Sequence, residues 1–234
     1  MSAGLVLGIE TSGKSTGLAL ADSGKVIVEM IEDSSCGHNE VLMPLLDRLL
    51  RGAGVEASQL SGIGVDIGPG MFTALRVGTS TAKGLAIARR IPVVGVSSLW
   101  ALARTALPTL DGVISLMDAR KHQVYAAIYL GGQAALAPAV MDPEDLVSEV
   151  GKMTERTSLV VAGNGTDLCA DLFAAAGIRL EAACIEVPSP GVIAVEAGER
   201  IGKGLASDLA SMEPLYLRRT DAELTREQKL GPKN

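Results

Sequence analysis

Apolar residues in the first part of the chain come in short β-branched and leucine-rich runs separated by turn residues. The runs LVLGIE, TGLALA and VIVEMI are joined by Thr11-Ser12-Gly13-Lys14 and by Asp22-Ser23-Gly24-Lys25. Short runs between such turns are typical of antiparallel strands that follow one another along the chain. This segment is therefore predicted to form a three-stranded β-meander.

The segments that follow alternate between helical and strand patterns. Val41, Leu42, Leu45, Leu46 and Leu49 recur at helical spacing and predict an amphipathic helix that ends at residues 52–54. SGIGVDIG and IPVVGVSS are predicted strands, and TALRVGTSTAKGLAIARR between them is a predicted helix. Residues 1–97 are thus predicted to have the element order β-β-β-α-β-α-β.

The second half has a mixed pattern of similar length. Serine, aspartate and proline favour helix starts at Ser97-Ser98, Asp142-Pro143 and Ser189-Pro190, and TDLCADLFAAAG is a further predicted helix. VISLMD, QVYAAIYL and SLVVAG are predicted strands. The chain is therefore predicted to be an α/β protein with two lobes, residues 1–97 and 98–218, each a mixed sheet with flanking helices, followed by a polar tail at 219–234.

Composition and charge narrow the classes of function. The 234 residues are enough for two small lobes, and 47% hydrophobic residues are typical of a globular chain. A net charge of −6 and 3% aromatic residues disfavour independent binding of nucleic acid backbones or stacked bases. The sequence has neither a secretory leader nor a membrane-spanning apolar stretch, so a cytoplasmic protein is expected.

Residues that commonly hold metals are sparse. Cys36, Cys169 and Cys184 are too far apart for a zinc site or a disulfide framework, so buried thiols are expected. The two histidines, His38 and His122, form no H-x-x-x-H pair. His38 is interpreted as a capping or surface residue at a helix start, and no metal site is predicted.

Two segments resemble phosphate-binding loops. Gly8 to Ser15 spell the P-loop pattern G-x-x-x-x-G-K-S, but a functional P-loop opens a helix, and the turn at 22–24 leaves no room for one. The match is therefore interpreted as chance within a hairpin. Gly68-Pro69-Gly70 precedes a helix, so its N–H groups suit an anion, whereas a sharp turn without a ligand is the simpler alternative.

Other candidate catalytic groups have structural explanations. Ser97 lies in a segment without the second glycine of G-x-S-x-G and is interpreted as a helix cap. Asp118 and Arg120 lie at the end of a predicted strand. They could form a salt bridge within a hairpin or contact another molecule, and the sequence favours neither. An H-E-x-x-H motif is missing from the sequence, so zinc peptidase chemistry is not indicated.

Residues 64–103 resemble the TsaB (YeaZ) family, whose pattern is a strand, G-P-G-S-F-T-G-L-R, a helix with A-K-G-L, and I-P-x-x-G-V-S-S-L. The matching segments are residues 68–76, 82–85 and 91–99. Weaker matches at residues 8–12, 38–40, 118–125 and 214–218 extend the resemblance over most of the chain. It implies that the two lobes are actin-like (ribonuclease H-like).

The resemblance also implies a role and partners. Members are non-catalytic subunits that bind and activate TsaD in forming N6-threonylcarbamoyladenosine at position 37 of tRNAs. Further implied partners are a TsaE-like ATPase and a TsaC-like synthase, with tRNA contacted only through the complex and a homodimer in isolation. No cofactor is expected, although weak nucleotide binding at a partner interface stays open.

The resemblance further implies that the helices beginning near His38 and Thr73 form a helical bundle shared with TsaD or with a second copy of the chain. This implies an interface that includes Leu42, Leu46, Leu75, Arg76 and Thr79. The second of these helices is rich in small side chains such as Gly78, Ser80 and Gly84. Close packing against the chain's own sheet is the alternative explanation for them.

Under the same resemblance no residue is assigned a catalytic role, and Glu10 stands where the family often has aspartate. A vestigial phosphate loop is assigned to Thr11, Ser12, Gly68, Pro69 and Gly70. Two other hypotheses remain. One is a self-associating protein outside tRNA modification, and the other is an autonomous nucleotide-hydrolysing enzyme of actin fold that uses Thr11, Ser12, Lys14 and the turn at 68–70.

Overall fold

The computed structural model describes residues 4–153 and 159–218, which form two five-stranded sheets and six α-helices. The strands are β1 Val6–Glu10, β2 Ser15–Asp22, β3 Lys25–Asp33, β4 Gly62–Gly68, β5 Val93–Ser97, β6 Val113–Asp118, β7 Val124–Leu130, β8 Gln133–Met141, β9 Val160–Ala162 and β10 Glu181–Ala182. The helices are α1 His38–Gly52, α2 Phe72–Arg89, α3 Ser98–Ala106, α4 Pro143–Gly151, α5 Thr166–Ala175 and α6 Pro190–Gly202, with a 3₁₀ turn at Ala57–Gln59. Every predicted strand and helix is present, and the predicted tail at 219–234 lies outside the described residues.

The two sheets share one topology. The order is β3-β2-β1-β4-β5 in the first sheet and β8-β7-β6-β9-β10 in the second, which is the same order counted from β6. In each sheet the first three strands pair antiparallel, whereas the fourth and fifth continue the sheet in parallel. The predicted α/β fold with two mixed sheets is confirmed.

Helices α1 and α2 cover one face of the first sheet. The leucines at helical spacing in α1 point into a hydrophobic core. The same core contains Leu7 and Ile9 of β1 and Leu18 and Leu20 of β2. Each such side chain stabilises the fold by about 1.5–3 kcal/mol when it is fully buried. Since both helices use their inner faces in this core, their outer faces lie on the same side of the molecule.

Helix α6 packs against the opposite face of the first sheet, although it comes from the second half of the sequence. Glycines in the strands allow this close approach. A Cβ atom on Gly8 would overlap the carbonyl oxygen of Pro190, and one on Gly64 would lie 2.6 Å from the carbonyl oxygen of Ile193. The lobe boundary at residues 97–98 stays a prediction, and α6 packs across it.

The second sheet is covered by α4 and α5 on one face and by α3 on the other. Strands β8 and β10 are not predicted by the sequence, because β8 is rich in alanine and β10 has only two residues. In the described part of the chain, none of the helices has the length and apolar character needed to cross a membrane.

Candidate docking face and inter-lobe cleft

A cavity of ≈ 430 Å³ opens between loops of the two lobes. Its walls are the β1–β2 turn, the turn before α2, the β6–β7 turn and Asn164. The structure brings the two parts of the predicted phosphate loop together here, since the Met71 N–H donates to the Ser12 carbonyl at 2.8 Å. A Cβ atom on Gly70 would lie 2.5 Å from that carbonyl oxygen, so the glycine is needed for this contact.

The segment that matches the P-loop pattern, Gly8 to Ser15, lies in a β-hairpin, as predicted. Gly8 is in β1, Lys14 is in the turn and Ser15 begins β2, so no helix follows the lysine. Thr11 is buried against Gly78 of α2, and its hydroxyl has no partner among the described residues. Close packing against Thr11 therefore explains why residue 78 is a glycine.

Two carboxyl groups are buried beneath the cleft, at the ends of β1 and β4. Glu10 Oε1 accepts from both the N–H and the hydroxyl of Ser12, each at 2.6 Å. Asp66 Oδ1 accepts from the Gly68 N–H at 2.7 Å and from the Ser98 hydroxyl at 2.5 Å. Strands β1 and β4 are parallel neighbours, and the two acids interact electrostatically.

Burial disfavours the charged form of both acids. Burial, together with the neighbouring negative charge of Asp66, raises the pKa of Glu10 to about 8. Burial also raises the pKa of Asp66, whereas hydrogen bonds from Ser98, Gly68 and Ser12 oppose that rise. Burial thus favours the protonated form of Glu10, which belongs to the folded core rather than to an open ligand site.

The β6–β7 turn forms the second-lobe wall of the cleft. Arg120, Lys121 and His122 all have positive φ angles, of 64°, 54° and 59°. Asp118 accepts from the Arg120 N–H at 2.7 Å and pairs with its guanidinium at 3.5 Å. Of the two alternatives for Asp118 and Arg120, the salt bridge within the hairpin is therefore present.

The segment that includes Leu215 and Arg218 spans both lobes beside the cleft. The Leu215 N–H donates to the Ile67 carbonyl of the first lobe at 2.6 Å. The Arg218 guanidinium donates to the Ala119 carbonyl of the second lobe at 2.7 Å. This segment consequently ties the end of β4 to the β6–β7 turn.

The predicted partner interface on α1 and α2 needs correction at the level of side chains. Leu42, Leu46, Leu75 and Thr79 are buried in the chain's own core, because they lie on the inner faces of their helices. Arg76 alone of the five predicted residues is exposed. A docking surface on these helices must therefore be built from their outer faces.

The outer face of α2 is a stripe of mostly small side chains. Besides Phe72 and Arg89 at the helix ends, the exposed positions recur along one stripe at Thr73, Arg76, Ser80, Gly84, Ile87 and Ala88. Ile87 is 66% exposed, and Met43 on the outer face of the adjacent α1 is 52% exposed. A Cβ atom on Gly84 would meet nothing within 4 Å, so packing within the fold does not explain this glycine.

An aromatic and cationic cluster lies at the start of this stripe. The Arg76 guanidinium stacks on the Phe72 ring at 4.0 Å, and Arg76 Nε donates to the Tyr216 hydroxyl at 3.0 Å. The Phe72 and Tyr216 rings are 5.0 Å apart. Helix α2 and the C-terminal segment therefore build one surface together.

Known proteins are similar to this chain both in sequence and in architecture. The family model described as "TsaD: tRNA N6-adenosine threonylcarbamoyltransferase" matches residues 30–226. The tRNA threonylcarbamoyladenosine biosynthesis protein TsaB of Bacillus subtilis is 32% identical over 225 residues, which covers 93% of this chain and 96% of that protein. The chain belongs to the TsaB family.

Solved structures agree with this assignment. YeaZ from Pseudomonas aeruginosa superposes with a TM-score of 0.75 at 26% identity, covering 92% of this chain and 100% of that one. Component A of the (R)-2-hydroxyglutaryl-CoA dehydratase of Acidaminococcus fermentans shares only the fold, with a TM-score of 0.52 and 10% identity. These likenesses confirm the predicted actin-like fold.

Several predicted side-chain roles in this TsaB-family chain are wrong. Ser97 is the N-cap residue of α3, as predicted, but its hydroxyl makes no capping bond, and Ser98 donates to Asp66. His38 is buried rather than exposed, because its helix start packs against the first lobe. Among the cysteines, Cys169 is buried as expected, whereas Cys36 and Cys184 are exposed.

Sequence reasoning missed Asp66, Tyr216 and Arg218 as residues that organise the site. An aspartate within the apolar strand SGIGVDIG is a usable signal, since a buried acid needs hydrogen-bond partners. In the described ranges, 4–153 and 159–218, no group of three or more His, Cys, Asp or Glu side chains is placed to hold a metal.

Proposed function

We propose that this TsaB-family chain is a non-catalytic subunit that docks onto a TsaD-like catalytic subunit in the formation of N6-threonylcarbamoyladenosine in tRNA. The pathway is supported by the name of the Bacillus subtilis relative, and the match of the chain to the TsaD family model shows that it is similar to the catalytic protein of that pathway. The single observation that carries the docking role is the outer face of α2, centred on Ser80 and Gly84.

Glycine within a helix costs about 1 kcal/mol relative to alanine. Gly84 has open space around its Cα, so nothing in the folded chain offsets that cost. Small side chains on a helix allow a second helix to approach closely, since the distance between helix axes depends on the side chains at the contact. A partner helix laid along Thr73, Ser80 and Ala88, between Met43 and Ile87, accounts for both the glycine and the exposed apolar residues.

The non-catalytic role is supported by the state of the inherited polar groups. Glu10 is buried, and Ser12 donates to it. Thr11 is packed against α2 and does not face the cavity. Of the predicted nucleotide-binding side chains, Lys14 is exposed at the cleft, but it is not followed by the helix that a P-loop requires.

The purified chain is therefore expected neither to bind ATP at micromolar concentration nor to hydrolyse it. Calorimetric titration with MgATP and a phosphate-release assay check this expectation. Stoichiometric binding at micromolar concentration, or turnover that is lost in a Lys14→Ala variant, would instead favour the autonomous nucleotide-hydrolysing enzyme.

The same face is proposed to pair with a second copy of the chain when the catalytic partner is absent. A TsaE-like ATPase and a TsaC-like synthase complete the proposed pathway, with tRNA contacted only through the assembled complex in the cytoplasm. Weak nucleotide binding would then arise only at the partner interface.

Ser80→Arg is expected to abolish the function in cells without unfolding the chain. Ser80 is exposed at the centre of the small-residue stripe, so a long cationic side chain there blocks helix docking while touching no core residue. Ser148→Arg on exposed α4 of the second lobe is the matched control. In cells that lack their own copy, we expect wild type and Ser148→Arg to restore threonylcarbamoyladenosine in tRNA, measured by mass spectrometry, and Ser80→Arg to restore little. Full restoration by Ser80→Arg, at equal protein level, would refute the proposed docking face.

A further inference from the structure

Arg76 is held in one orientation by two neighbouring aromatic rings, whose centres are 5.0 Å apart, and by a hydrogen bond to one of them. Its guanidinium lies 4.0 Å from the centre of the Phe72 ring and 5.9 Å from that of Tyr216. Its Nε donates to the Tyr216 hydroxyl at 3.0 Å. Tyr216 is itself fixed by its neighbour, because the Leu215 N–H bonds to the Ile67 carbonyl. An exposed arginine normally loses much side-chain entropy on binding, and here that loss has already occurred.

The two terminal nitrogens of Arg76 remain available in this arrangement. No carboxylate or carbonyl oxygen in residues 4–153 and 159–218 pairs with them. By contrast Arg48, Arg51, Arg120 and Arg200 each pair with a carboxylate of the chain, and Arg218 donates to backbone carbonyls. The paired N–H donors of a guanidinium match the two acceptor oxygens of a carboxylate, so the free edge of Arg76 suits a carboxylate.

The surroundings of Arg76 are apolar and exposed. Phe72 is 37% and Tyr216 41% exposed, and both rings lie against the guanidinium; Met71, next to Phe72 in the sequence, is 46% exposed. Arginine and tyrosine are enriched among the few residues that dominate binding energy, and an apolar rim excludes water from such a pair. Arg76 also lies one helical turn before Ser80, so the cluster is continuous with the proposed docking face.

We infer that Arg76 receives the carboxylate of an aspartate or glutamate side chain of the catalytic partner, and that Tyr216 is a positioning residue that orients the guanidinium. The inference rests on the proposed function and adds to it the charge and chemistry of the partner's surface. A carboxylate is favoured over an RNA phosphate because the chain carries a net charge of −6 and the exposed Arg76 lies on the helix face that is proposed to dock the partner protein.

Four variants test the inference by calorimetric titration of the purified full chain with the purified catalytic partner, without RNA. Arg76→Ala is expected to weaken binding by about 10- to 100-fold and Arg76→Glu by more, since it repels the carboxylate. Arg76→Lys is expected to stay within about threefold of Arg76→Ala, because an ammonium lacks the planar fork. Tyr216→Phe keeps the ring and removes the hydroxyl, and is expected to weaken binding by about threefold to tenfold. Unchanged circular dichroism and melting temperature establish that each variant is folded.

Two further readouts separate a carboxylate from its alternatives. Raising the salt concentration from 50 to 500 mM should weaken wild-type binding more than binding of Arg76→Ala, since only wild type makes the ion pair. Single Asp→Lys or Glu→Lys changes in the partner should include one that restores binding of Arg76→Glu and not of Arg76→Ala.

The inference is overturned if Arg76→Ala binds the partner as tightly as wild type while Ser80→Arg does not bind, a result that leaves the proposed docking function standing. It is also overturned if Arg76→Ala leaves partner binding unchanged and weakens tRNA binding by the assembled complex, because Arg76 then meets a phosphate. If wild type itself does not bind the partner, the proposed function fails first.

Discussion

Replacing Gly8 by alanine is expected to destabilise the chain by about 3 kcal/mol or more, at or above the upper end of typical overpacking costs. The added methyl group would overlap the carbonyl oxygen of Pro190, which is backbone and cannot rotate away. Helix α6 would have to move off the first sheet, and its contacts through Ile193, Ala194 and Ala197 would loosen. The glycine that begins the P-loop spelling is thus expected to matter for stability and not for nucleotide binding.

Gly84→Ala is the matched control, because it makes the same chemical change where there is open space. It is expected to stabilise the isolated chain by up to about 1 kcal/mol, the helix propensity difference between the two residues. Urea unfolding followed by circular dichroism measures both variants, with the slope of the transition checked for constancy. A Gly8→Ala variant within about 0.5 kcal/mol of wild type would contradict the close packing of α6.

The stability of the chain is expected to fall as pH rises from about 5 to about 8, through the proton on Glu10. The unfolded chain releases that proton near the ordinary pKa of 4.5, whereas the folded chain holds it up to a pKa of about 8. The folded state therefore binds more protons in this interval, so the free energy of unfolding decreases with pH and levels off above the folded pKa. The full effect is on the order of 5 kcal/mol, since one pKa unit corresponds to 1.36 kcal/mol.

Glu10→Gln removes this titration and keeps a side chain that can accept from Ser12. The difference in unfolding free energy between Glu10→Gln and wild type is expected to shift in favour of the variant as pH rises from 5 to 9. Comparing the two proteins cancels the titration of distant shared groups such as Asp33 and Asp208, whose pKa values are lowered by hydrogen bonds from Ser35 and from Ser211 and Ala210. Asp66, whose pKa burial raises to about 6, interacts with Glu10, so the difference reports the coupled pair. Parallel stability curves over that range would show that Glu10 is already ionised in the fold.

The sequence is sufficient to predict most of the secondary structure, because turn residues and hydrophobic periodicity mark each element. The alanine-rich strand β8 lacks the β-branched residues that signal strands, and its pairing with β7 comes from tertiary contacts. Periodicity also says nothing about which sheet a helix covers. The packing of α6 on the first sheet is visible only when Gly8 and Gly64 are seen beneath it.

The site is predictable at the level of elements but not of side chains. Leu42, Leu46 and Leu75 lie on the two helices of the proposed docking face. Their side chains are buried, because the apolar face of an amphipathic helix packs against the chain's own core. Tyr216 is 140 residues from Arg76 in the sequence, so their contact requires the folded chain. Gly84 was visible as a small residue, but only the empty space around it distinguishes it from Gly78.

The central claim, that the outer face of α2 docks a catalytic partner, is tested most directly by the affinity of the purified chain for the TsaD-like protein of the same cell. Calorimetric titration is predicted to give specific binding for wild type and for Ser148→Arg, and a loss of about 100-fold or more for Ser80→Arg. Equal affinity of all three proteins would contradict the claim.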